Sequence, residues 1–321
     1  MKRSLLITGA NGFVGTALMQ RLSLESRFRT VGLVRRAPRI PVTDTHYEVA
    51  VDPLTACPSS VLEGTDTVIH LASRVHVMQE RIADPLAEFR RINVNGTLEL
   101  ARAAAQAGVR RFIFVSSIKV NGEGTDGGRA YTADDDARPA DPYGISKREA
   151  EEALTALAAK SNMEVVIVRP VLVYGPGVKA NFRSMMSWLS KGVPLPFGAI
   201  HNKRSLVALE NLVDLLVTCI DHPAAANQTF LASDGEDLST TELLVRLGAA
   251  LGKPARLIPV PAALIKGAAR LAGKGALSQR LCGSLQVDIS KTRALLGWEP
   301  PLGVDQALKA TADNFLKEQK K

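Results

Sequence analysis

The amino-acid sequence predicts an α/β protein with a doubly wound parallel sheet and a smaller, mainly C-terminal lobe. Three observations lead there. Short apolar runs that read as buried strands alternate with helical spacing as far as Gly175. The first run, Leu5-Leu6-Ile7, breaks into a loop with glycines at 9, 12 and 15, followed by an apolar helix start. Beyond Gly175 the alternation weakens, and Pro176, Gly177, Pro194, Pro196 and Gly198 lengthen the connections.

Taken in order, residues 14–22 read as the first helix and 30–34 as the second strand. Residues 66–72 form another buried strand, and 95–108 have helical spacing that ends on a glycine. A strand over 111–117 carries serines at its C-terminal end, and a helix over 143–160 leads to a strand over 164–168. Ligands of doubly wound sheets bind outside the carboxyl ends of the strands. Gly9, Ala72 and Ser117 all fall at such ends, as one shared site requires. An amphipathic helix over 209–220 and a strand over 228–231 read as returns to the first sheet. The expected division is therefore 1–175, with 206–233 returning to it, and a second lobe from 176–205 and 234–321.

A chain of 321 residues with 46% hydrophobic content builds a full globular core. Its formal charge of +8 favours an anionic ligand. The basic residues are spread out and aromatics are few, so nucleic acid is not the expected partner. Lys266, Arg270 and Lys274 stand at spacing four beside Leu264, Ile265 and Leu271, a pattern compatible with a membrane-surface helix. A solvated helix face is the commoner reading, and membrane contact is not expected. Met1-Lys2-Arg3 before an apolar run resembles a signal peptide, but Thr8-Gly9 ends that run early. No stretch reaches the ~18 apolar residues of a membrane span. Cys57, Cys219 and Cys282 are widely spaced, and the five histidines show no metal-ligand spacing, so no metal is expected. The predicted location is cytoplasmic.

The glycine loop has a specific use. One glycine allows the tight turn, one lets the backbone approach a pyrophosphate, and one lets helix and strand pack closely. The phosphates would sit on unpaired N–H groups at the helix N-terminus. The first gap is one residue longer than in G-x-G-x-x-G. Further along, Tyr143 and Lys147 stand four apart on one helix face. A lysine cation beside a phenol lowers the phenol pKa from ~10, which suits a general base. Ser117 can hydrogen-bond the same substrate oxygen.

Together these motifs resemble the extended short-chain dehydrogenase/reductases, in particular the nucleotide-sugar epimerase/dehydratase group with its Rossmann fold. The resemblance runs through residues 8–15, His70-Leu71-Ala72, Asn93-Val94-Asn95-Gly96-Thr97, Val115-Ser116-Ser117, residues 143–147, Arg169-Pro170 and Tyr174-Gly175-Pro176. It implies a catalytic triad of Ser117, Tyr143 and Lys147. Ser117 rather than Ser116 follows by counting back from Val120-Asn121-Gly122. It also implies cofactor contacts from Gly9, Asn11, Gly12, Phe13, Val14, Gly15, Arg35, Asp52, Leu71, Ala72 and Ser73, besides Tyr143 and Lys147. In the dehydratases two carboxyl side chains follow the active serine; here Ile118 and Lys119 stand there, which disfavours water elimination and leaves Lys119 as a substrate contact. Asn181, in Lys179-Ala180-Asn181-Phe182, and Arg204 match groups that bind the sugar-nucleotide diphosphate, and an arginine fork suits phosphate oxygens. Residues 194–198 resemble the segment along the uracil. Arg280 is nearest to a further family arginine before Asp288.

The expected activity is NAD-dependent 4-epimerisation of a UDP-sugar through a 4-keto intermediate, for surface-polysaccharide precursors, by a homodimer paired through residues 95–108 and 143–160. Arg35 stands where NAD-specific members carry an acid, which makes NADP and a 4-keto-6-deoxy-hexosamine 4-reductase the alternative. A non-catalytic NADP(H) sensor is disfavoured because Tyr143 and Lys147 are both present. His76 is read as a structural hydrogen-bonder.

Overall fold

The computed structural model describes residues 2–38, 41–42, 45–49, 59–75, 84–125, 127–273 and 275–320. Its main sheet has seven strands, all paired in parallel, in the order β3-β2-β1-β4-β5-β6-β9. These are β1 (Arg3–Thr8), β2 (Phe28–Val34), β3 (His46–Val49), β4 (Thr65–His70), β5 (Arg111–Val115), β6 (Glu164–Pro170) and β9 (Thr229–Ala232). Strand order reverses between β1 and β4, so a crevice opens above the carboxyl ends of those two strands.

Side-chain alternation sends the two faces of each strand to different cores. Leu5, Ile7, Ile69, Ile113, Val166 and Val168 face one cluster, with α1 (Phe13–Ser23) and α7 (Leu209–Asp221) packed over it. Leu6, Val68, Phe112, Phe114, Val165 and Ile167 face the other, under α4 (Thr97–Gln106) and α5 (Pro142–Ala158). Near-continuous apolar strands are what a sheet covered on both sides demands. The short α2 (Ser59–Leu62) and α3 (Pro85–Phe89) lie on the connections around β4. Residues 90–96 wind as a π-helix before α4, so Asn95 belongs to that wide turn and the regular helix starts at Thr97.

A second, three-stranded sheet has the order β10-β8-β7, from β7 (Leu172–Tyr174), β8 (Arg204–Ala208) and β10 (Asp237–Leu238). It packs with α6 (Ala180–Ser190), α8 (Thr240–Ala250) and α12 (Val304–Gln319) in a separate cluster. The remaining helices are α9 (Ala262–Leu271), α10 (Gly275–Cys282) and α11 (Ser290–Leu296). Buried Asn211 of α7 ties the parts together: it donates to Leu302 O and Asp234 Oδ1 and accepts from Leu302 N at 2.9 Å. Phe13 touches both the α1/α7 core and the second-sheet core.

Candidate active site

The site is assembled where β1, β4 and β5 end. Gly9 follows β1 with φ +67, and a Cβ there would come within 2.9 Å of Ala72 N. Gly15 packs tighter still, since its Cβ would meet Gly9 O at 2.2 Å. These two contacts explain the glycines: one turns the chain, the other lets α1 lie against the loop. Helix α1 begins at Gly12 with no side-chain cap and no acidic residue in its first turn. An uncapped, acid-free helix N-terminus at the strand-order reversal fits a dinucleotide pyrophosphate. Asn11 donates to Arg36 O at 3.0 Å, tethering the loop to the end of β2. Arg35 is exposed beside that carbonyl. Asp52 and His76 lie outside the described residues.

His70 locks the floor. Its ring is buried, hydrogen-bonded to Thr8 Oγ1 at 2.8 Å and Thr97 Oγ1 at 3.0 Å, and stacked on Phe114. Burial, aided by the Lys147 charge, pushes its pKa down to about 3, so it stays neutral. Thr8 Oγ1 in turn accepts from Ala72 N at 3.1 Å. These bonds fix the peptide after β4 against the glycine loop.

Ser117 caps the 3₁₀ turn Ile118–Val120, accepting from Lys119 N at 3.3 Å. Its hydroxyl and that of Ser73 both lie near enough to the Tyr143 phenol to favour its charged form. Neighbouring Ser116 is buried with its Oγ unpartnered, so of the two serines Ser117 is the one engaged with the tyrosine. Lys147, one turn along α5, is buried, donates to Val115 O at 2.9 Å and lies 4.4 Å from the Phe114 ring centroid. Ser73, Ser117, Tyr143 and Lys147 thus gather beyond the carboxyl ends of β4 and β5.

The tyrosine differs from expectation. Burial pushes the Tyr143 phenol up to about 12, against the opposing pull of Ser73 and Ser117, and the Asp141 charge adds to the rise. Burial also takes Lys147 down to about 7, despite the nearby Glu151 carboxylate. Both groups are held towards their neutral forms, because desolvation is the largest influence on each.

Three groups outside the triad position it, and sequence reasoning assigned none of them a role. Asn93, buried in the π-turn, accepts from Arg74 N and Ser73 Oγ and donates to Arg74 O and Ser146 Oγ. Ser146 Oγ donates to Tyr143 O at 2.8 Å, so the turn after β4 is tied to α5. Buried Arg169 pairs with Glu151 of α5 and donates to Asn121 Oδ1 at 3.0 Å. Asp141 caps α5 through Gly144 N at 2.7 Å and pairs with Lys119. Lys119 also meets Glu123 at 2.9 Å, so its ammonium is held by two carboxylates. The motif Asn93-Val94-Asn95-Gly96-Thr97 was the available signal for Asn93; the partners of Arg169 and Lys119 are too distant in sequence to read.

The diphosphate candidates sit farther out. Asn181 is exposed on the first turn of α6, after Ala180 in a left-handed conformation at φ 51. Half-buried Arg204 donates to Gly283 O at 3.1 Å, and Arg280 is exposed on α10. A cleft of about 830 Å³ runs from Gly12 and Phe13 past Pro176, Gly177 and Lys179 to Asn314. Among the described residues no cluster of His, Cys, Asp and Glu could hold a metal ion, and no helix is long and apolar enough to cross a membrane.

A family model described as "NAD dependent epimerase/dehydratase family" matches residues 5–232. The chain belongs to that family. Its relatives include a protein named UDP-glucose 4-epimerase from Vibrio cholerae, 51% identical over 98% of this chain and 96% of the relative. An N-acetyl-alpha-D-glucosaminyl-diphospho-ditrans,octacis-undecaprenol 4-epimerase from Escherichia coli O157:H7 is 26% identical over 97% and 95%. Among solved structures, MoeE5 in complex with UDP-glucose and NAD superposes with a TM-score of 0.78 at 25% identity, covering 99% of this chain and all of that one. Family membership places the glycine loop and the Tyr-x-x-x-Lys helix of this chain in an epimerase/dehydratase framework.

Proposed function

We propose that the protein is an NAD-dependent 4-epimerase of a UDP-hexose or UDP-N-acetylhexosamine, supplying precursors for surface polysaccharide. The observation that carries this reading is the meeting of Ser117, Tyr143 and Lys147 beside an uncapped glycine-loop helix, with no carboxylate after the serine. The 51% identical relative named UDP-glucose 4-epimerase supports the same assignment. Gly12, Phe13 and the α1 N-terminus would hold the pyrophosphate of NAD, Arg35 would lie along its adenosine end, and Lys147 would hold the nicotinamide ribose. When bound, NAD supplies the hydride acceptor and a positive charge that favours the phenolate.

Tyr143 takes the proton from the sugar 4-hydroxyl and later returns it, while Ser117 donates a hydrogen bond to that oxygen and holds it in place. The 4-keto sugar turns over within the site and receives hydride on its other face, so net redox change is zero. Ile118 is buried and Lys119 is paired with two carboxylates, so no acid stands where elimination of water needs one. Asn181, Arg204 and Arg280 are assigned to the sugar diphosphate, with residues 194–198 along the base. Residues 176–205 and 234–321 form the substrate lobe, the enzyme works in the cytoplasm, and it pairs as a homodimer through α4 and α5.

Proton NMR of the purified protein with UDP-glucose or UDP-N-acetylglucosamine, with no cofactor added, tests the reading. The corresponding galacto product is expected, and Tyr143→Phe abolishes it. Absence of conversion of both sugars, or release of NADP rather than NAD on denaturation, overturns the assignment.

A further inference from the structure

The basic residues are spread along the chain, but the net excess of positive charge falls in one stretch of the sequence. Between residues 243 and 287 there are seven lysines and arginines, from Arg246 to Arg280, and no aspartate or glutamate. That stretch therefore holds +7 of the formal +8 of the whole protein. In its middle lies α9, a helix of ten residues none of which is buried.

The face that α9 turns outward is the unusual one. Ala262, Ile265, Lys266 and Ala269 are partly covered, and their three-and-four spacing marks the side turned to the protein. The opposite stripe is Ala263, Leu264, Gly267, Ala268 and Leu271, all exposed. Leu264 is 64% exposed and Leu271 93%. Ile258, on the strap leading into the helix, is 51% exposed and sits next but one to exposed Arg256. An ordinary surface helix shows water its polar face; α9 shows its apolar one, with Arg270 on the flank.

We infer that α9 docks on the surface of an anionic lipid bilayer, with Leu264 and Leu271 entering the interface and the surrounding cations meeting lipid phosphates. A basic helix with an outward apolar stripe has the composition of an interfacial element, and clustered Lys and Arg are attracted to anionic leaflets. The charge also selects among occupants. A second copy of the chain would bring two acid-free stretches with exposed Arg256 and Arg270 face to face, which repel. An anionic surface meets both halves of the pattern at once. Contact is peripheral, since among the described residues no helix can span.

The position gives the contact a consequence. Ile258 O accepts from Gly198 N at 2.9 Å, and Leu257 and Pro261 bridge Leu195 and Ala199. The docking helix is therefore fastened to residues 195–199 of the substrate side, and that side would face the membrane.

Flotation with vesicles of phosphatidylcholine, with or without phosphatidylglycerol, tests the proposal on the full-length protein. The wild type is expected to float with the anionic vesicles only, and added salt is expected to release it. Leu264→Ser/Leu271→Ser should lower partitioning about tenfold while leaving epimerase activity in solution unchanged. Arg270→Gln, a milder change, should lower it by a smaller factor. No flotation at low salt overturns the proposal, as does equal flotation with neutral vesicles or retention of full binding by the double serine variant. A wild-type oligomer that the serine variant dissolves would assign the face to a second copy instead. The epimerase assay is read separately, so failure of docking leaves that reading intact.

Discussion

The start and the middle of α5 are held by opposite strategies. In its middle, Glu151 meets Arg169 in a buried pair whose side chains are 6% and 9% exposed. At its start, Asp141 meets Lys119 with side chains 23% and 22% exposed, and Glu123 shares the lysine from the rim. The first pair is isolated from water and completed by Asn121, so removing one partner leaves an uncompensated charge. The second is screened and replaceable. Tyr143 and Lys147 lie between the two. The helix is thus anchored rigidly behind the chemistry and adjustably in front of it.

The sharpest way to break this contrast is Glu151→Leu, expected to cost about 3–5 kcal/mol in urea unfolding. The double variant Arg169→Met/Glu151→Leu should recover most of that, because a well-packed apolar pair replaces a buried ion pair at little cost. Next in size is Asn93→Leu, which removes the Oδ1 acceptor of Arg74 N and one of the two partners of Arg74 O and of Ser146 Oγ; a loss of about 1–3 kcal/mol is expected. Because Ser146 also bonds to Tyr143 O, kcat should fall more than KM changes in that variant.

A third test is the pH dependence of stability. Lys147 has its folded pKa lowered to about 7 by burial, against an unfolded value near 10.5. The folded state therefore binds fewer protons between those values, so the lysine's contribution is fully present above about 10.5. It is lost as pH falls through about 7. Relative to Lys147→Met, the wild type should gain stability between pH 7 and 10.5, read from melting curves of the two proteins side by side.

The smallest effect on stability belongs to Lys119→Met, under about 1 kcal/mol. Its signature is kinetic. Without the ammonium, the Asp141 carboxylate acts undiminished on Tyr143, whose pKa it already raises. The rising limb of the activity–pH profile should move to higher pH. An unmoved limb would mean that Lys119 serves only to hold the capping carboxylate of Asp141 in place.

Much of this was legible in the chain. Apolar strands covered on both faces, the Gly9–Gly15 loop and the serine at the end of β5 depend on neighbours in sequence, and the parallel sheet follows from their alternation. What escaped depends on distance. The π-turn over residues 90–96 is specified by Asn93 bonding to Arg74 and Ser146, 19 and 53 positions away. The high pKa of Tyr143 reflects burial that spacing to Lys147 cannot convey. Residues 262–274 showed a basic amphipathic pattern, but only the packing of Ile265 and Ala269 reveals which face looks outward. The two-residue β10 and three-residue β7 are too short to carry a period.

Phe13 has a bearing on how the molecule comes apart. It is the first residue of α1, and its partly buried ring packs against the core under α1 and α7 as well as against the core of the second sheet. A side chain that is structural material for two cores couples their melting. The two lobes should denature in one cooperative transition, and trimming this ring to alanine should let a calorimeter resolve two. The same residue begins α1, whose uncapped N-terminus is the proposed seat of the pyrophosphate, so a bound dinucleotide should raise the temperature of that shared transition.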